Sequence, residues 1–348
     1  MDFTFSDEQQ MFTETARTLF ADTCTPDHWR RMMEAGASRN DARWAAVVEN
    51  GLTLLLLPEA AGGMELTETD FALIAQEAGY FALPEPLVES AGVGAPLLAS
   101  LAPDHPILAD PLATIAVAHP LNPYVNHADS AAAILLHHEG KAFLATPDQV
   151  RLTPQPSIDP FRRLFRVDAD IAKAEPLGQA DWDLAIDRAN LFAAAQGIGL
   201  AQRAVDMAVA YAAERQQFGK PIGSYQAVKH HLASAQVAIE FAKPVVTAAA
   251  AEIGHADAHS RARVSHARTV ALEAADKAAR AAIQVHGAMG YSWEVDVHLV
   301  LKRALALTQS WGTPRFHRDR IARRLFSCPT GPEQTFARAT PAFEIEHA

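Results

Sequence analysis

The chain has 348 residues, of which 49% are hydrophobic and 20% are charged, and its formal net charge is −11. This composition is typical of a globular protein that buries one large core or two to three smaller ones. The acidic balance excludes a nucleic-acid partner, because phosphate binding needs a dominant basic face.

The N-terminal segment and the cysteines indicate where in the cell the protein is expected to be. The first twenty residues carry four acidic side chains, unlike a secretory signal peptide. No apolar run reaches the roughly 18 residues of a transmembrane helix. Cys24 and Cys328 are too few for a disulfide framework or a zinc site. We therefore expect a cytoplasmic protein without a membrane span.

Residues 1–100 are predicted to form an N-terminal helical domain. Apolar residues from Phe5 to Phe20 recur with helical spacing. A turn at Gly62-Gly63 precedes a second predicted helix, which starts at 66–69 and continues to Ala78. Residues 101–178 differ, because many prolines separate short apolar runs at 114–118, 132–136 and 142–145. That pattern predicts an abridged β domain.

Residues 179–330 are predicted to return to helix. Apolar residues fall seven apart along a first long helix, at Leu184, Leu191, Ile198, Val205 and Ala212. Glycine and proline at 219–223 break this helix. Two further long helices are predicted from Tyr225 to Ile253 and from Ala256 to His286, then two shorter ones. The chain is thus predicted to be mainly α with a small central β domain and a C-terminal four-helix bundle, and a loose tail at 331–348.

Two motifs in this helical half resemble the acyl-CoA dehydrogenase family of flavoenzymes. Residues 215–226 read RQQFGKPIGSYQ, and residues 284–291 read QVHGAMGY. The order helical, β, helical is also the order of that fold. Two less specific N-terminal segments agree with the resemblance, FSDEQQ at 5–10 and LPE at 57–59.

The resemblance implies a non-covalent FAD shared across a subunit interface. In the family, the residues matching Arg215, Gln226 and the stretch from Gln284 through Gly287 to Ala288 contact the FAD of a neighbouring subunit. An arginine offers a forked donor to a pyrophosphate, a glutamine offers an amide, and small residues let the backbone approach closely. The structural alternative is that Arg215 caps a helix C-terminus and Gly287 merely ends a helix.

The residue that should act as catalytic base is missing. The family places a glutamate in a Tyr-Glu-Gly-Thr segment, where the ungapped count gives Ser310-Trp311-Gly312-Thr313. Some members place the base on the helix before the first motif, where this chain has Ala189. Neither tryptophan nor alanine can accept a proton. Asp187 is two residues from Ala189, but two residues on a helix correspond to a rotation of about 200°, so Asp187 is expected to lie on the wrong face to act as the base.

The middle region also departs from catalytic members, because residues 101–178 lack a tryptophan-containing flavin strand and a Thr-Glu-Pro loop. This combination resembles the smaller, non-catalytic subunit of heteromeric α2β2 acyl-CoA dehydrogenases of bacterial steroid side-chain degradation. The implied function is to complete the FAD site of a catalytic homologue, which carries the acyl-CoA and performs the α,β-dehydrogenation.

Two other functions stay open at this point: a self-sufficient flavoenzyme with a relocated base, and a cofactor-free structural subunit. His255 and His259 are spaced for a metal pair but lack a nearby third ligand, so we expect no metal site. A basic cluster at 315–324 is interpreted as a solvated helix face or a subunit contact.

Overall fold

The computed structural model describes residues 4–37 and 39–327. Cys328 and the predicted tail at 331–348 lie outside these residues. The N-terminal part is helical, as predicted. Its helices are α1 (Asp7–Thr23), α2 (Pro26–Glu34), α3 (Asp41–Glu49), α4 (Glu68–Tyr80) and α5 (Ala95–Leu101). A π-helical segment, Val88–Gly94, leads directly into α5.

Local capping explains where two of these helices begin. Ser6 accepts a hydrogen bond from the Gln9 backbone N–H, and the Gln9 side chain accepts one from the Ser6 N–H. Thr67 and Asp70 form the same reciprocal arrangement at the start of α4. Each capping box satisfies backbone donors that the first turn of a helix leaves unpaired.

The central region contains a short helix and two small sheets. The elements are α6 (Pro106–Ala109), β1 (Ile115–Ala118), β2 (Tyr124–Asn126), β3 (Ala133–His138), β4 (Lys141–Ala145), β5 (Val150–Gln155), β6 (Leu164–Ala169) and β7 (Glu175–Gln179). The first sheet has the order β1-β3-β4-β7, with β1 parallel to β3, and the second has the order β2-β6-β5. The three predicted strands correspond to β1, β3 and β4, which are the buried ones.

The C-terminal region is a helical bundle. Its helices are α7 (Trp182–Glu214), α8 (Gln226–Glu252), α9 (Ala258–His286), α10 (Val297–Gln309) and α11 (Pro314–Ser327). A short hairpin of β8 (Gln216–Gln217) and β9 (Lys220–Pro221) connects α7 to α8. None of the helices in residues 4–37 and 39–327 combines the length and apolar character needed to cross a bilayer.

Helices α4 and α7 cross at a pair of glycines. A Cβ atom on Gly199 would lie 1.9 Å from the Gln76 carbonyl oxygen and 2.5 Å from the Tyr80 backbone nitrogen. A Cβ on Gly79 would lie 2.2 Å from the Gln196 carbonyl oxygen. The two backbones therefore touch where any side chain would separate them. This crossing joins the N-terminal helices and the bundle around one apolar core.

We expect Gly199→Ala to destabilise the protein. Alanine gains about 1 kcal/mol of helix propensity over glycine, but its Cβ would meet backbone atoms, which cannot move aside as a flexible side chain can. Overpacking of this kind costs roughly 1–3 kcal/mol or more, so we expect a net loss. Thermal unfolding monitored by circular dichroism would measure it.

The matched control is Gly254→Ala, since a Cβ there meets nothing within 4 Å. An unchanged melting temperature in Gly199→Ala would contradict the close backbone crossing.

Candidate functional site

Helix α7 carries predicted site residues near both of its ends. Ala189 lies near its start, and Arg215 is its C-cap. Arg215 is 26 positions after Ala189, a distance of about 39 Å at the helical rise of 1.5 Å per residue. The two groups of predicted site residues therefore lie far apart within one chain.

The first motif folds as a hairpin at the far end of α7. Phe218 and Gly219, at its turn, have positive φ angles of 54° and 80°, as a two-residue type I′ turn requires. The Arg215 carbonyl accepts a hydrogen bond from the Ile222 N–H at 2.8 Å, which closes the hairpin. Gln226 begins α8 immediately afterwards. The Phe218 side chain, at the tip, is 93% exposed.

The second motif ends α9 beside this hairpin. Gly287 has a φ of 61° and a ψ of −136° and is the C-cap of α9. Gln284, Gly287 and Ala288 are exposed. A Cβ added to Gly287 would meet open space, so its backbone is open to an approaching ligand.

The polar side chains of the two motifs are available for a ligand. Within residues 4–37 and 39–327, no hydrogen bond or ion pair engages the side chains of Arg215, Gln226 or Gln284. Arg215 therefore does not cap α7 through its side chain, and only its backbone N–H bonds to the helix, at the Tyr211 carbonyl. The rings of Tyr211 and His286 stack between α7 and α9, with centroids 4.2 Å apart, and bring the two motifs together.

The two residues at the predicted base positions lie in one cluster at the other end of the bundle. Ala189 and Trp311 are buried in one apolar cluster with side chains of α5, β1, β3 and β4. Trp311 stacks on His119, with centroids 4.1 Å apart and an interplanar angle of 21°. The cavity beside Ser310, of about 30 Å³, is not lined by Ala189, Trp311 or His119.

His119, the stacking partner of Trp311, was not predicted from the sequence. It follows β1, and its Nδ1 accepts a hydrogen bond from the Leu121 N–H at 3.2 Å, so the ring proton lies on Nε2. Burial lowers the pKa of His119 to about 3, so the ring is neutral at physiological pH. The sequence carries no signal for it, because Ala118-His119-Pro120 marks only the end of a strand.

A buried arginine holds the loop that carries Trp311. The backbone of Trp311 has a φ of 52°, a left-handed conformation that is unfavourable for a bulky residue. Four backbone carbonyl oxygens converge on Arg268 Nη2 and share its two N–H groups: those of Leu307, Thr308, Ser310 and Gly312, at 3.0, 3.2, 2.5 and 3.3 Å. Burial lowers the pKa of Arg268 to about 10, so the guanidinium remains charged at neutral pH.

Asp187 faces away from Trp311, as the helical rotation predicts. Its carboxylate accepts a hydrogen bond from Arg320 of α11 at 2.5 Å and lies 3.8 Å from Arg261 of α9. Burial raises the pKa of Asp187 to about 6, although both arginines oppose that shift. Asp187 is thus committed to contacts between helices.

The remaining predicted features give no second site. In the described part of the chain, no group of three potential metal ligands is close enough to hold a metal ion. Arg318 of the basic cluster pairs with Glu273 at 3.1 Å, and Arg320 pairs with Asp187, so these two arginines attach α11 to the bundle.

Comparison with known proteins gives consistent matches. Residues 6–102 match the acyl-CoA dehydrogenase N-terminal domain, and residues 177–326 match the acyl-CoA dehydrogenase C-terminal domain. The acyl-CoA dehydrogenase IpdE2 of Mycobacterium tuberculosis is 34% identical over 328 residues, which cover 93% of this chain and 99% of that protein.

Two solved structures share the fold. A chain of the ChsE4–ChsE5 complex from Mycobacterium tuberculosis superimposes with a TM-score of 0.85 and 22% identity, covering 95% of this chain and 100% of that chain. A chain of the Tcur3481–Tcur3483 steroid ACAD, solved as its G363A variant, superimposes with a TM-score of 0.80 and 22% identity. The match covers 91% of this chain and 97% of that chain.

We expect the buried His119 to make the protein sensitive to acid. Its folded pKa of about 3 lies below its ordinary value of 6.5, so below pH 6.5 the unfolded chain takes up a proton that the folded chain does not. The stability contributed by the neutral ring is complete above about pH 6.5 and is lost as the pH falls towards 3. The slope is at most about 1.4 kcal/mol per pH unit.

His119→Phe keeps an aromatic ring against Trp311 and should reduce this pH dependence, measured by urea unfolding at several values between pH 7.5 and 4.5. His230→Phe, on the exposed face of α8, serves as the control. An identical pH slope in wild type and His119→Phe would show that His119 protonates freely in the folded state.

Proposed function

Because this chain belongs to the acyl-CoA dehydrogenase family, we propose that it is a subunit without a catalytic base that completes the FAD site of a catalytic homologue. The separation of the two groups of site residues carries this proposal. A cofactor ring at Ala189 and Trp311 would lie about 39 Å along α7 from Arg215, which is longer than an extended FAD. Arg215 and Gln284 therefore face the cofactor of another chain.

The filled interior at Ala189 and Trp311 supports the second half of the proposal. In this chain an indole stacked on a neutral imidazole stands where the family has a glutamate, and apolar side chains surround the pair. Neither ring can remove a proton from an acyl-CoA: the indole lacks a basic lone pair, and burial keeps His119 from accepting a proton. These residues do not fit a flavin ring or an acyl chain.

The exposed end fits the phosphate and adenosine half of FAD. Arg215 supplies a forked cationic donor without an internal partner, Gln226 and Gln284 supply amides, and Gly287 supplies accessible backbone. When bound, FAD supplies the hydride-accepting chemistry of the dehydrogenation. The role of this chain is to bind and orient the cofactor at the subunit interface.

The partner in this proposal is a catalytic acyl-CoA dehydrogenase homologue in an α2β2 heterotetramer. The fold is shared with the ChsE4–ChsE5 complex and with a protein described as a steroid ACAD. We infer that the acyl-CoA is bound by the partner and that it belongs to the steroid or lipid class. A cofactor-free structural subunit would not need the unpaired polar side chains that the two motifs present, which favours a cofactor-binding subunit.

We expect the isolated chain to purify with little FAD and no dehydrogenase activity, and the complex with a catalytic homologue to hold FAD. In that complex, Arg215→Ala should weaken FAD binding about tenfold to a hundredfold, because a charge-assisted contact contributes roughly 1.5–3 kcal/mol. Gln284→Ala should have a smaller effect, since its hydrogen bonds are neutral. Flavin absorbance and size-exclusion chromatography would be measured together for each variant.

Arg315→Ala is the matched control, because Arg315 is 91% exposed on α11. Undiminished flavin in Arg215→Ala, with the complex intact, would mean that the motif serves packing only. Acyl-CoA turnover by the isolated chain with an artificial electron acceptor would instead favour the self-sufficient flavoenzyme.

We also expect Trp311→Glu to restore no activity and to lower stability. The new carboxylate would be buried in an apolar cluster without a partner, and the stack on His119 would be lost. Large-to-small changes at buried aromatics cost roughly 3–5 kcal/mol, and an unpaired buried charge adds to this loss. Trp311→Phe, which keeps an apolar ring, should cost less. Thermal unfolding and an acyl-CoA dehydrogenation assay would test both variants, and activity in Trp311→Glu would refute the closed site.

A further inference from the structure

The Tyr211–His286 stack lies between the two segments that we propose as cofactor contacts. The rings are nearly parallel, with an interplanar angle of 20° and centroids 4.2 Å apart. Tyr211 lies one helical turn before Arg215, and the Tyr211 carbonyl oxygen accepts a hydrogen bond from the Arg215 backbone N–H at 2.9 Å. His286 lies between Gln284 and Gly287. Each ring is therefore directly connected to one of the two contact segments.

The orientation of His286 is fixed from within α9. Its Nδ1 lies 2.8 Å from the Ala282 carbonyl oxygen, and because a carbonyl only accepts, Nδ1 carries the proton. Burial lowers the pKa of the ring, which is only 6% exposed, so His286 is neutral at physiological pH. A hydrogen bond in the ring plane and a stacked ring on one face together restrict rotation of the side chain.

The hairpin and the start of α8, where Gln226 lies, are held against the end of α7 by static contacts. The Tyr225 hydroxyl donates to the Gln217 carbonyl at 3.2 Å, and the Lys220 ammonium lies 4.4 Å from the Tyr225 ring centroid. A Cβ on Gly223 would lie 3.0 Å from the Ala212 carbonyl oxygen, so the start of α8 is packed tightly on α7.

We infer that Tyr211 and His286 are positioning residues that set the distance between Arg215 on α7 and Gln284 on α9. This inference rests on the proposed function, because the distance matters only if both segments contact one cofactor. Neither ring needs to touch FAD. The stacked rings hold the Arg215 and Gln284 segments at a fixed separation, so that little conformational entropy is lost when FAD binds.

The experiment uses the complex with the catalytic homologue and FAD as the probe. His286→Ala removes the stack, whereas His286→Phe keeps an aromatic ring against Tyr211. Because an aromatic pair contributes about 0.5–1.5 kcal/mol, we expect His286→Ala to weaken FAD binding about 2- to 12-fold. His286→Phe should restore most of the affinity. Tyr211→Leu and Tyr211→Phe should behave in the same two ways.

A double-mutant cycle separates positioning from general packing. If His286 acts through Arg215, the effect of His286→Ala on FAD affinity should shrink in an Arg215→Ala background. His119→Ala is the matched control, because it removes a similar histidine stack, of 4.1 Å, at the opposite end of the bundle. It should lower the melting temperature and leave FAD affinity unchanged.

A His286→Ala variant that loses thermal stability but binds FAD as wild type does would overturn the inference. Full additivity with Arg215→Ala would also overturn it, since each residue would then act independently. An Arg215→Ala variant with wild-type FAD affinity would show instead that the proposed function is wrong.

Discussion

The close crossing of α4 and α7 is the constraint on which the arrangement of this molecule depends. Gly199 and Gly79 let the two backbones touch, and each glycine faces main-chain atoms of the other helix. Because α7 is continuous over 33 residues, it extends from this crossing in both directions as one helix. One end is buried against the β sheets, and the other projects the hairpin and Arg215 into solvent. The crossing and the continuous α7 thus connect two chemically different regions of the molecule.

The two ends of the bundle differ in how their polar groups are satisfied. At the buried end, Arg268 and Asp187 are both engaged in contacts between segments of the chain, and the aromatic stack of His119 and Trp311 fills the interior. At the exposed end, backbone hydrogen bonds build a rigid framework, while side chains such as that of Arg215 have no internal partner. This distribution is consistent with the proposed role as a subunit that contacts the cofactor of a neighbour.

The sequence was a good guide to the helices and to local motifs, because their determinants are close together in the chain. The predicted helix from Tyr225 to Ile253 matches α8 within one residue at each end, and Gly287 ends α9 where predicted. The polar strands β5 and β7 were not predicted, since their residues are mostly exposed and their pairing depends on neighbouring strands. Secondary structure of this kind is set by tertiary context.

The contacts that define the site were harder to predict, because they join distant segments. His119 and Trp311 are 192 residues apart in sequence, and no local pattern indicates that their rings stack. The same holds for Arg268, whose role depends on carbonyl groups that converge only when α9 and α10 pack. The sequence predicted roles for Trp311, Arg215 and Gln284, but it could not show which of their side chains are buried and which are exposed.

The continuity of α7 also limits how this chain can change in length. One inserted residue between Ala189 and Gly199, or between Gly199 and Arg215, would rotate everything beyond it by 100° and shift it by 1.5 Å. The apolar face would leave the core on one side of the crossing, and the hairpin would point in another direction. Substitutions can be absorbed along this helix one side chain at a time, whereas insertions and deletions alter all contacts at one end together. We expect length variation in this protein to be confined to the connections of the β region and to the segments outside the bundle.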